Sequence, residues 1–409
     1  MNLLFIASGY LPYTFSENLC NAKLVYAMQS IGWHVDVISK HNESNTYSTE
    51  WVEPWLPLKP YAREIRYPLG SKVGRMCDIV ASSCCLKMFP VEGIRWVRRA
   101  VSLALELCKK NHYDAVLTRA PDDTAHYVGA ILKRQTGIRW IANWNDPAAP
   151  IWPRPYTNDL SGIKHKLLMH YTGTCLKEAD VNTFPSEYLL DHFKAHFPVL
   201  NNKDCRVIPH IALPEEIFPH TEYKRHEKLM LCHSGNLSVE RDPENLFRAM
   251  RELVDEGCNL MQLDIMGTIN DYTQTLIGKY RLEEYVKFLG GFPYLTAVEK
   301  MAEYDVLVLV EAILDKGIFF PSKLTDYVQS GKPILAVSPA DGFVHDLLSK
   351  YGGGIHTDNT DHRQIKAALE KLYRCWQNNT LVEKNSPKHI YEYFSADAVI
   401  NAYTELLNQ

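Results

Sequence analysis

The stretch that decides the fold is KLMLCHSGNLSVERDPENL, residues Lys228–Leu246. Its first seven residues, KLMLCHS, have the length of a strand and an apolar centre, a glycine follows, and a helical pattern begins at Pro243. Proline is well placed in a first helical turn, because the N–H that it lacks would have had no partner there. A strand, a short turn and a helix in this order indicate a unit of a parallel α/β sheet.

The same alternation continues on both sides of this stretch and predicts an α/β protein with two doubly wound domains. We predict an N-terminal domain at 1–200, a linker at 201–227, a second domain at 228–385 and a terminal helical segment at 386–409. That last segment either packs back against the N-terminal domain or caps the second domain. Strands are predicted at Asn2–Ser8, His34–Ser39, Tyr113–Arg119, Arg139–Trp144, Val181–Phe184, Arg206–Pro209, Lys228–Ser234, Leu260–Met266, Val286–Leu289, Val306–Val310 and Pro333–Val337.

The totals agree with this division and exclude several classes of protein. A chain of 409 residues suits two domains, and 46% hydrophobic with 22% charged residues is typical of a globular protein. A net charge of −4 gives no case for nucleic-acid binding. The ten cysteines show neither zinc nor disulfide spacing, so we expect buried, reduced thiols. The N-terminus is predicted to be a strand rather than a signal peptide, no run is long enough to span a bilayer, and we expect a cytoplasmic protein.

The turn after the strand Lys228–Ser234 is a candidate phosphate site. Open parallel sheets bind ligands at the carboxyl ends of their strands, and Gly235 and Asn236 come directly after such an end. Glycine lets the backbone approach a ligand closely, and Arg241 could supply a counter-charge for an anion. One glycine in such a turn is common, so this signal is weak alone.

The segment FFPSKLTDYVQSGKPILAV, Phe319–Val337, gives a stronger signal. Pro321 and Ser322 open a predicted helix, with Lys323 in its first turn and Asp326 three residues later. A cation near a helix start is unfavourable unless an anion binds there, which suits a diphosphate. A carboxylate one turn later suits the hydroxyls of a ribose. The alternative is an ordinary ion pair on the helix surface.

The pattern P-S-K-L-x-D-Y-x-x-x-G-K-P-I-L in this segment resembles the donor-site signature of family-4 glycosyltransferases of bacterial surface-polysaccharide synthesis. Further resemblances follow in the family's order along nearly the whole chain. They are GWHVDVISK (Gly32–Lys40), FPVEGIRWVRRA (Phe89–Ala100), RWIANWNDPAAPIW (Arg139–Trp152), HSGNLSVERDPENL (His233–Leu246) and VKFLGGFPY (Val286–Tyr294).

The resemblance implies the GT-B fold, in which two Rossmann-like doubly wound domains face each other across a cleft. It also implies a retaining transfer from a UDP- or GDP-sugar to a saccharide or a lipid-linked acceptor. The residues that it assigns to donor binding are Gly235, Asn236, Arg241, Gly267, Phe292, Pro293, Ser322, Lys323, Leu324 and Asp326.

Departures from the family pattern leave the catalytic residues open. Many members carry Glu-x7-Glu, but here the second position is Asp326 and the first is Phe319. Glu311, at the end of a predicted strand, could supply the missing carboxylate, or it could simply face solvent. The turn has Asn236 where many relatives have Arg, so phosphate binding would depend more on Arg241 and Lys323.

The interdomain segment also differs, with Asn145-Asp146 where Arg-Asp is common. Asp146 remains a candidate to orient or deprotonate an acceptor hydroxyl. His126 is a weaker candidate, since a place on a helix surface explains it as well.

No Asp-x-Asp triplet occurs in the sequence, which favours charge neutralisation by Arg, Lys and helix dipoles over a bound metal. We therefore expect neither a metal nor another cofactor. The alternatives to a transferase are a nucleotide-sugar epimerase of the same fold and a non-catalytic partner subunit, which the missing first Glu would favour.

A basic region between Lys72 and Lys110 suggests contact with a membrane. It holds eight Lys or Arg against three acidic residues, and it includes the uncharged run Ile79–Leu86. Basic residues beside apolar ones suit an anionic membrane surface, which would put the protein at the inner face of the cytoplasmic membrane. The alternative is a solvated helix face beside an ordinary buried segment.

Overall fold

The computed structural model describes residues 1–13, 16–41, 58, 61–66, 70–156, 162–219 and 225–408. The chain divides into two compact units. The first unit comprises Met1–Pro153, Thr157–Pro209 and Val399–Gln409, and the second comprises Arg154–Tyr156 and His210–Ala398. Each unit is an α/β fold around a parallel sheet.

The described part of the first unit contains a seven-stranded parallel sheet in the order β3-β2-β1-β4-β5-β6-β7. Its central strands are almost wholly buried because helices cover both faces of such a sheet. The strands are β1 (Asn2–Ala7), β2 (His34–Lys40), β3 (Ala62–Ile65), β4 (Ala115–Arg119), β5 (Trp140–Asn143), β6 (Val181–Phe184) and β7 (Asp204–Val207). The helices are α1 (Ser16–Ser30), α2 (Lys72–Leu86), α3 (Ile94–Lys110), α4 (Thr124–Thr136), α5 (Gly162–Glu178) and α6 (Glu187–His196).

The described part of the second unit contains a six-stranded parallel sheet in the order β10-β9-β8-β11-β12-β13. The strands are β8 (Leu229–Ser234), β9 (Met261–Met266), β10 (Val286–Phe288), β11 (Val306–Val310), β12 (Ile334–Ser338) and β13 (Gly354–Asp358). The helices are α7 (Glu244–Asp255), α8 (Asp271–Lys279), α9 (Tyr294–Met301), α10 (Lys323–Gln329), α11 (Phe343–Tyr351), α12 (His362–Gln377), α13 (Leu381–Asn385) and α14 (Lys388–Phe394).

Two edge strands, β3 and β13, were not predicted, because their sequences AREI and GIHTD are short and half polar. The segment 201–227, which we predicted to be a linker, contains the edge strand β7, paired with β6 through Phe184 and Val207. The boundary between the units falls at His210 instead. Residues 220–224 of that segment lie outside the described residues.

The terminal helix α15 (Ala396–Asn408) belongs to the first unit from Val399 onwards. Tyr403 is only 1% exposed. The guanidinium of Arg139 donates to the carbonyl oxygens of Leu406, at 2.7 Å, and of Leu407, at 3.4 Å. Because Arg139 directly precedes β5, these bonds fix the end of α15 beside a central strand.

Helix α2 exposes most of its surface, and Ser82 is its one buried residue. Val80, within the uncharged run Ile79–Leu86, is 58% exposed, so the alternative of an ordinary buried segment is wrong. Cys77, Cys84 and Cys85 are also exposed, which corrects the expectation of buried thiols. All ten cysteines are free.

Candidate functional site

The carboxyl edge of the second sheet has its topological switch point between β8 and β11, where the strand order reverses. Ligands of open parallel sheets bind at such a point, since the loops diverge there and leave a crevice. Gly235 follows β8 and Glu311 follows β11 directly. The sequence therefore brings a glycine turn and a carboxylate to the same edge.

Gly235 and Gly267 shape the floor of this edge. The N–H of Gly235 donates to the carbonyl of Met266 at 2.9 Å, which ties the turn after β8 to the end of β9. A β-carbon on Gly267 would lie 2.2 Å from the carbonyl oxygen of Gly235, so no side chain fits there. Gly235 has φ +123°, a conformation that few other residues adopt.

Lys323 and Arg241 form a pair of cations at this turn. A β-carbon built on Gly235 would lie 2.9 Å from Nζ of Lys323, so the ammonium lies directly against the turn. Burial, together with the charge of Arg241, lowers the pKa of Lys323 to about 8, although Glu311 opposes this. Two like charges in a half-buried place are unfavourable alone, and a bound anion would relieve that repulsion.

Glu311 is the carboxylate of the site, and it is buried rather than facing solvent. The residue is 6% exposed, and its Oε1 has no hydrogen-bond partner among the described residues. Burial raises the pKa of Glu311, while the nearby charges of Arg241 and Lys323 lower it. Asn359 donates to the carbonyl oxygens of Glu311 and Ala312, at 3.1 and 3.0 Å, and so fixes the backbone here.

His233, the penultimate residue of β8, belongs to the site, although no sequence pattern singled it out. Its Nδ1 donates to the carbonyl of Val308 at 2.9 Å, which leaves Nε2 as the acceptor of a neutral ring. Burial and the nearby charge of Lys323 lower the pKa of His233 strongly. Nε2 has no partner among the described residues and would lie 3.9 Å from a β-carbon on Gly235.

Asp326 lies inside the unit and not on its surface, so the alternative of a surface ion pair with Lys323 is wrong. Its Oδ1 accepts a hydrogen bond of 2.8 Å from the hydroxyl of Tyr294, at the start of α9. The next residue, Tyr327, accepts from the N–H of Ser234 at 2.8 Å and donates to Val308 at 3.3 Å. Helix α10 is thereby tied to the end of β8 and to the middle of β11.

The remaining predicted donor residues have mainly structural contacts. Oδ1 of Asn236 accepts from the N–H of Thr268 at 2.8 Å, and the carbonyl of Ser322 accepts from the hydroxyl of Thr325 at 2.9 Å. Leu324 is completely buried, so it is a core residue and presents no surface to a ligand.

Phe292 and Pro293, the other predicted donor residues, precede α9. Phe292 is half-buried beneath Lys300, whose Nζ lies 5.1 Å from the ring centroid. Pro293 is exposed and caps the start of α9.

Asp146 lies half-buried in the first unit, beside a second carboxyl group that was not predicted. Burial, and then the charge of Asp146, raises the pKa of Glu17 to about 8, against the opposing effect of Arg119. Nδ2 of Asn145 donates to Glu17 at 3.2 Å and to the carbonyl of Ala120 at 2.8 Å. The sequence did offer one signal for Glu17, its position in the first turn of α1, the helix that follows β1.

His126 is buried in the core of the first unit and not on a helix surface. Its Nδ1 lies 2.7 Å from the hydroxyl oxygen of Thr118, and its ring packs 3.9 Å from that of Trp144. Burial lowers the pKa of His126 to about 3. A neutral, enclosed imidazole has no access to a substrate, which argues against the catalytic role considered from the sequence.

Residues 215–389 match the family model described as Glycosyl transferases group 1. The second unit therefore carries a group 1 glycosyltransferase domain. The match contains Gly235, Arg241, Glu311, Lys323 and Asp326. No curated protein matches the sequence.

Solved structures similar to this chain show that its fold is GT-B. Sucrose-phosphate synthase from Thermosynechococcus elongatus has a TM-score of 0.72 at 15% identity, over 100% of this chain and 99% of that one. HepE from Anabaena, in complex with UDP-glucose, has a TM-score of 0.67 at 14% identity, over 100% and 99%. WaaG, a glycosyltransferase involved in lipopolysaccharide biosynthesis, has a TM-score of 0.64 at 12% identity, over 99% of each chain.

Metal ligands and membrane-spanning helices were also sought among the described residues. These residues contain no group of three or more His, Cys, Asp or Glu side chains arranged to hold a metal ion. No helix in the same ranges combines the length and the apolar character needed to cross a membrane.

Proposed function

We propose that this chain is a retaining, metal-independent glycosyltransferase of cell-surface glycan synthesis. It would move a sugar from a nucleotide-sugar to a saccharide or lipid-linked acceptor. The observation that carries the proposal is the cation pair of Lys323 and Arg241 against the Gly235 turn. The bound UDP-glucose of HepE, a protein of the same fold, supports a nucleotide-sugar as the ligand.

The diphosphate would bind where the two cations meet the glycine turn. Lys323 and Arg241 together balance the diphosphate's charge of about −2. The negative charge on this leaving group increases as the glycosidic bond breaks. Asp326 would bind the ribose, since a carboxylate can accept from two hydroxyls. Tyr294, already bonded to Oδ1, would hold that carboxylate in a fixed orientation.

Glu311 would act on the donor sugar. Its unpartnered Oε1 and the neutral Nε2 of His233 are two buried acceptors at the switch point. Sugar hydroxyls are donors of the kind that such atoms need, because burying an unpaired polar atom costs about 1–3 kcal/mol. In this proposal Glu311 replaces the carboxylate that Phe319 displaces from the family pattern.

Departure of the nucleoside diphosphate would be followed by attack of an acceptor hydroxyl on the same face of the sugar, which retains the configuration. The proton of that hydroxyl leaves as the new C–O bond forms. Asp146, paired with Glu17, would orient the hydroxyl or accept its proton.

A peripheral membrane location at the inner face of the cytoplasmic membrane is part of the same proposal. Val73 and Met76, which are 72% and 62% exposed, lie on α2 with Lys72 and Arg75. Each Lys or Arg near an anionic surface contributes about 1 kcal/mol to binding.

The test is a thermal-shift screen of the purified chain with nucleoside diphosphates and nucleotide-sugars, followed by product analysis. We expect one nucleoside diphosphate to raise the melting temperature and its sugar conjugate to be turned over to free nucleoside diphosphate. An altered sugar with the nucleotide still attached would indicate an epimerase instead. Stabilisation without any turnover, with acceptor extracts present, would indicate a non-catalytic subunit.

A further inference from the structure

A small recess lies beside Glu311 in the second unit, between the loop that follows β11 and the loop that follows β12. It holds about 10 Å³, which is room for one group of the size of a water molecule or a methyl group. Almost all of the surface that faces the recess is carbon, and the apolar residues that line it include Leu314, Phe319, Pro339 and Val344. Such a surface suits a small apolar group better than a water molecule, which needs several polar partners.

Two glycines, Gly317 and Gly342, line the recess where its two loops meet. The N–H of Gly317 donates to the carbonyl of Asp341 at 2.7 Å, and the N–H of Phe343 donates to the carbonyl of Gly317 at 2.9 Å. A β-carbon on Gly342 would lie 2.5 Å from Cα of Gly317, so no side chain fits there. Because backbone bonds hold the two loops together, the shape of the recess is fixed before a ligand binds.

Phe319 forms an aromatic wall of the recess, at a position where many family-4 glycosyltransferases carry Glu. Its ring meets that of Tyr156 edge-on, with the centroids 5.8 Å apart and an angle of 85° between the planes. The next residue, Phe320, stacks on Phe343 at 4.4 Å and anchors the segment in the core. A sugar hydroxyl that faced the ring of Phe319 would find no acceptor there, and burial of an unpaired hydroxyl is unfavourable.

Polar atoms border the recess at Glu311 and Ser338. Ser338, at the end of β12, is 1% exposed, and its Oγ has no hydrogen-bond partner within the described ranges. The Oε1 of Glu311 lacks a partner in the same way. A ligand at this place therefore meets oxygen atoms on one side and carbon on the others. That arrangement matches a sugar in which one ring carbon bears a hydroxyl group and the next bears a methyl group.

The cation pair determines where a donor sugar would lie. Lys323 follows Phe319 by four positions, and its Nζ lies against the turn at Gly235. The charges of Arg241 and Lys323 both act on Glu311, so this carboxylate lies near them. In a nucleotide-sugar the sugar is joined directly to the terminal phosphate. A diphosphate bound to the cation pair would thus bring the sugar ring beside Glu311 and its substituents within reach of the recess.

We propose that the donor sugar is a 6-deoxyhexose, and that its C6 methyl group occupies the recess against Phe319. A neighbouring ring hydroxyl binds Glu311. An ordinary hexose carries a hydroxymethyl group at this carbon, and its extra oxygen exceeds the space and lies against carbon. An acetamido group is larger still. This assignment rests on the glycosyltransferase function proposed above, and it narrows the donor to one class of sugar.

The test compares pairs of nucleotide-sugars that differ only in the oxygen atom on C6. The pairs have the gluco, galacto and manno configurations, and each carries the nucleoside diphosphate found in the screen. Calorimetry on the purified full chain gives the affinities without an acceptor. In one configuration we expect the 6-deoxy sugar to bind at least about tenfold more tightly than its partner, because the extra hydroxyl has no acceptor in the recess. Equal affinities within every pair, or tighter binding of the hydroxymethyl sugar, would overturn the proposal and indicate that the recess holds a hydroxyl group or a water molecule.

Variants locate the preference within the molecule. Phe319→Glu places an acceptor in the wall of the recess and should reduce the preference for the 6-deoxy sugar by at least about tenfold. Val344→Thr keeps the shape of the side chain but adds a hydroxyl group, and it covers the case in which the Glu variant fails to fold. Ile313→Glu is the matched control, because Ile313 lies in the same loop, is 40% exposed and does not line the recess. An unchanged preference in both recess variants, with normal affinity for the nucleoside diphosphate, would refute the assignment.

Turnover separates this inference from the proposed function. If a fully hydroxylated nucleotide-sugar is turned over and no 6-deoxy sugar is preferred, the donor assignment fails and the transferase assignment stands. If a 6-deoxy sugar is preferred in binding but the sugar is never transferred, the recess selects the ligand as proposed and the transferase assignment fails.

Discussion

The ammonium of Lys323 occupies the space that a side chain on Gly235 would need. A β-carbon built on Gly235 would lie 2.9 Å from Nζ, while the backbone of Gly235 has φ +123°. The glycine is thus required twice, once for its conformation and once for the approach of the cation. Because Gly235 has no side chain, the ammonium of Lys323 can approach the end of β8.

Gly235→Ala should therefore weaken nucleoside-diphosphate binding by at least about tenfold, because the strained alanine displaces the ammonium. Calorimetry with the nucleotide found in the screen measures this effect. Gly257→Ala is the matched control, since Gly257 has φ +95° but no atom lies within 4 Å of the place that a β-carbon would take. Equal nucleotide affinity in both variants would show that the close approach to Lys323 has no role in binding.

Lys323→Ala and Arg241→Ala should each weaken nucleoside-diphosphate binding by about 1.5–3 kcal/mol, the range for hydrogen bonds to charged groups. The fold should survive both changes, because the two side chains are only half-buried. Circular dichroism checks the fold, and calorimetry gives the affinity. Unchanged nucleoside-diphosphate affinity in both variants would show that the second unit does not bind the donor.

In the free protein, the charge of Lys323 should reduce stability. Since the folded pKa of Lys323 is about 8, below its ordinary value of 10.5, the free energy of unfolding carries a penalty below pH 8 that is relieved as pH rises towards 10.5. Lys323→Met should accordingly stabilise the free protein at pH 7, by about 1–2 kcal/mol after allowance for solvent screening. Urea denaturation at pH 7 gives the free energies of unfolding of the two proteins. A variant less stable than the original protein would contradict the predicted stabilisation.

Turnover should persist in excess EDTA, because the cations replace a metal on the diphosphate. The measurement is release of nucleoside diphosphate with and without chelator. Complete loss that Mg²⁺ or Mn²⁺ restores would contradict the proposed mechanism.

Asp326→Asn should weaken ribonucleotide binding more than binding of the 2′-deoxy nucleotide, which has already lost one of the bonds. A cycle of protein change against ribose change gives the coupling energy. Tyr294→Phe removes the hydroxyl that donates to Oδ1 and should show a smaller effect in the same direction. A coupling energy near zero would rule out contact between Asp326 and the ribose.

Sequence periodicity predicted the buried strands best where helices on both faces make a strand a continuous apolar run, as in Val306–Val310. It missed β3 and β13 at sheet edges, where one polar face hides the pattern. Burial was harder to predict: His126 and Leu324 are core residues, yet neither residue type nor spacing separates a core histidine from a catalytic one.

The sequence also could not predict which charged groups lie close together in the fold. Glu17 and Asp146 are 129 positions apart, and only the fold shows that their charges interact. By contrast, Lys323 and Gly235 were both predicted as donor residues, Gly235 because it follows a strand end and Lys323 because it is a cation in the first turn of a helix.

The placement of α15 has a consequence for biosynthesis. Strand β5 ends at Asn143, whereas the helix that Arg139 holds beside it begins at Ala396. The ribosome must translate the entire second unit before Tyr403 can reach its buried position. During this interval the surface under α15 is uncovered in the nascent first unit, and a chaperone could bind there until synthesis has passed Asn408.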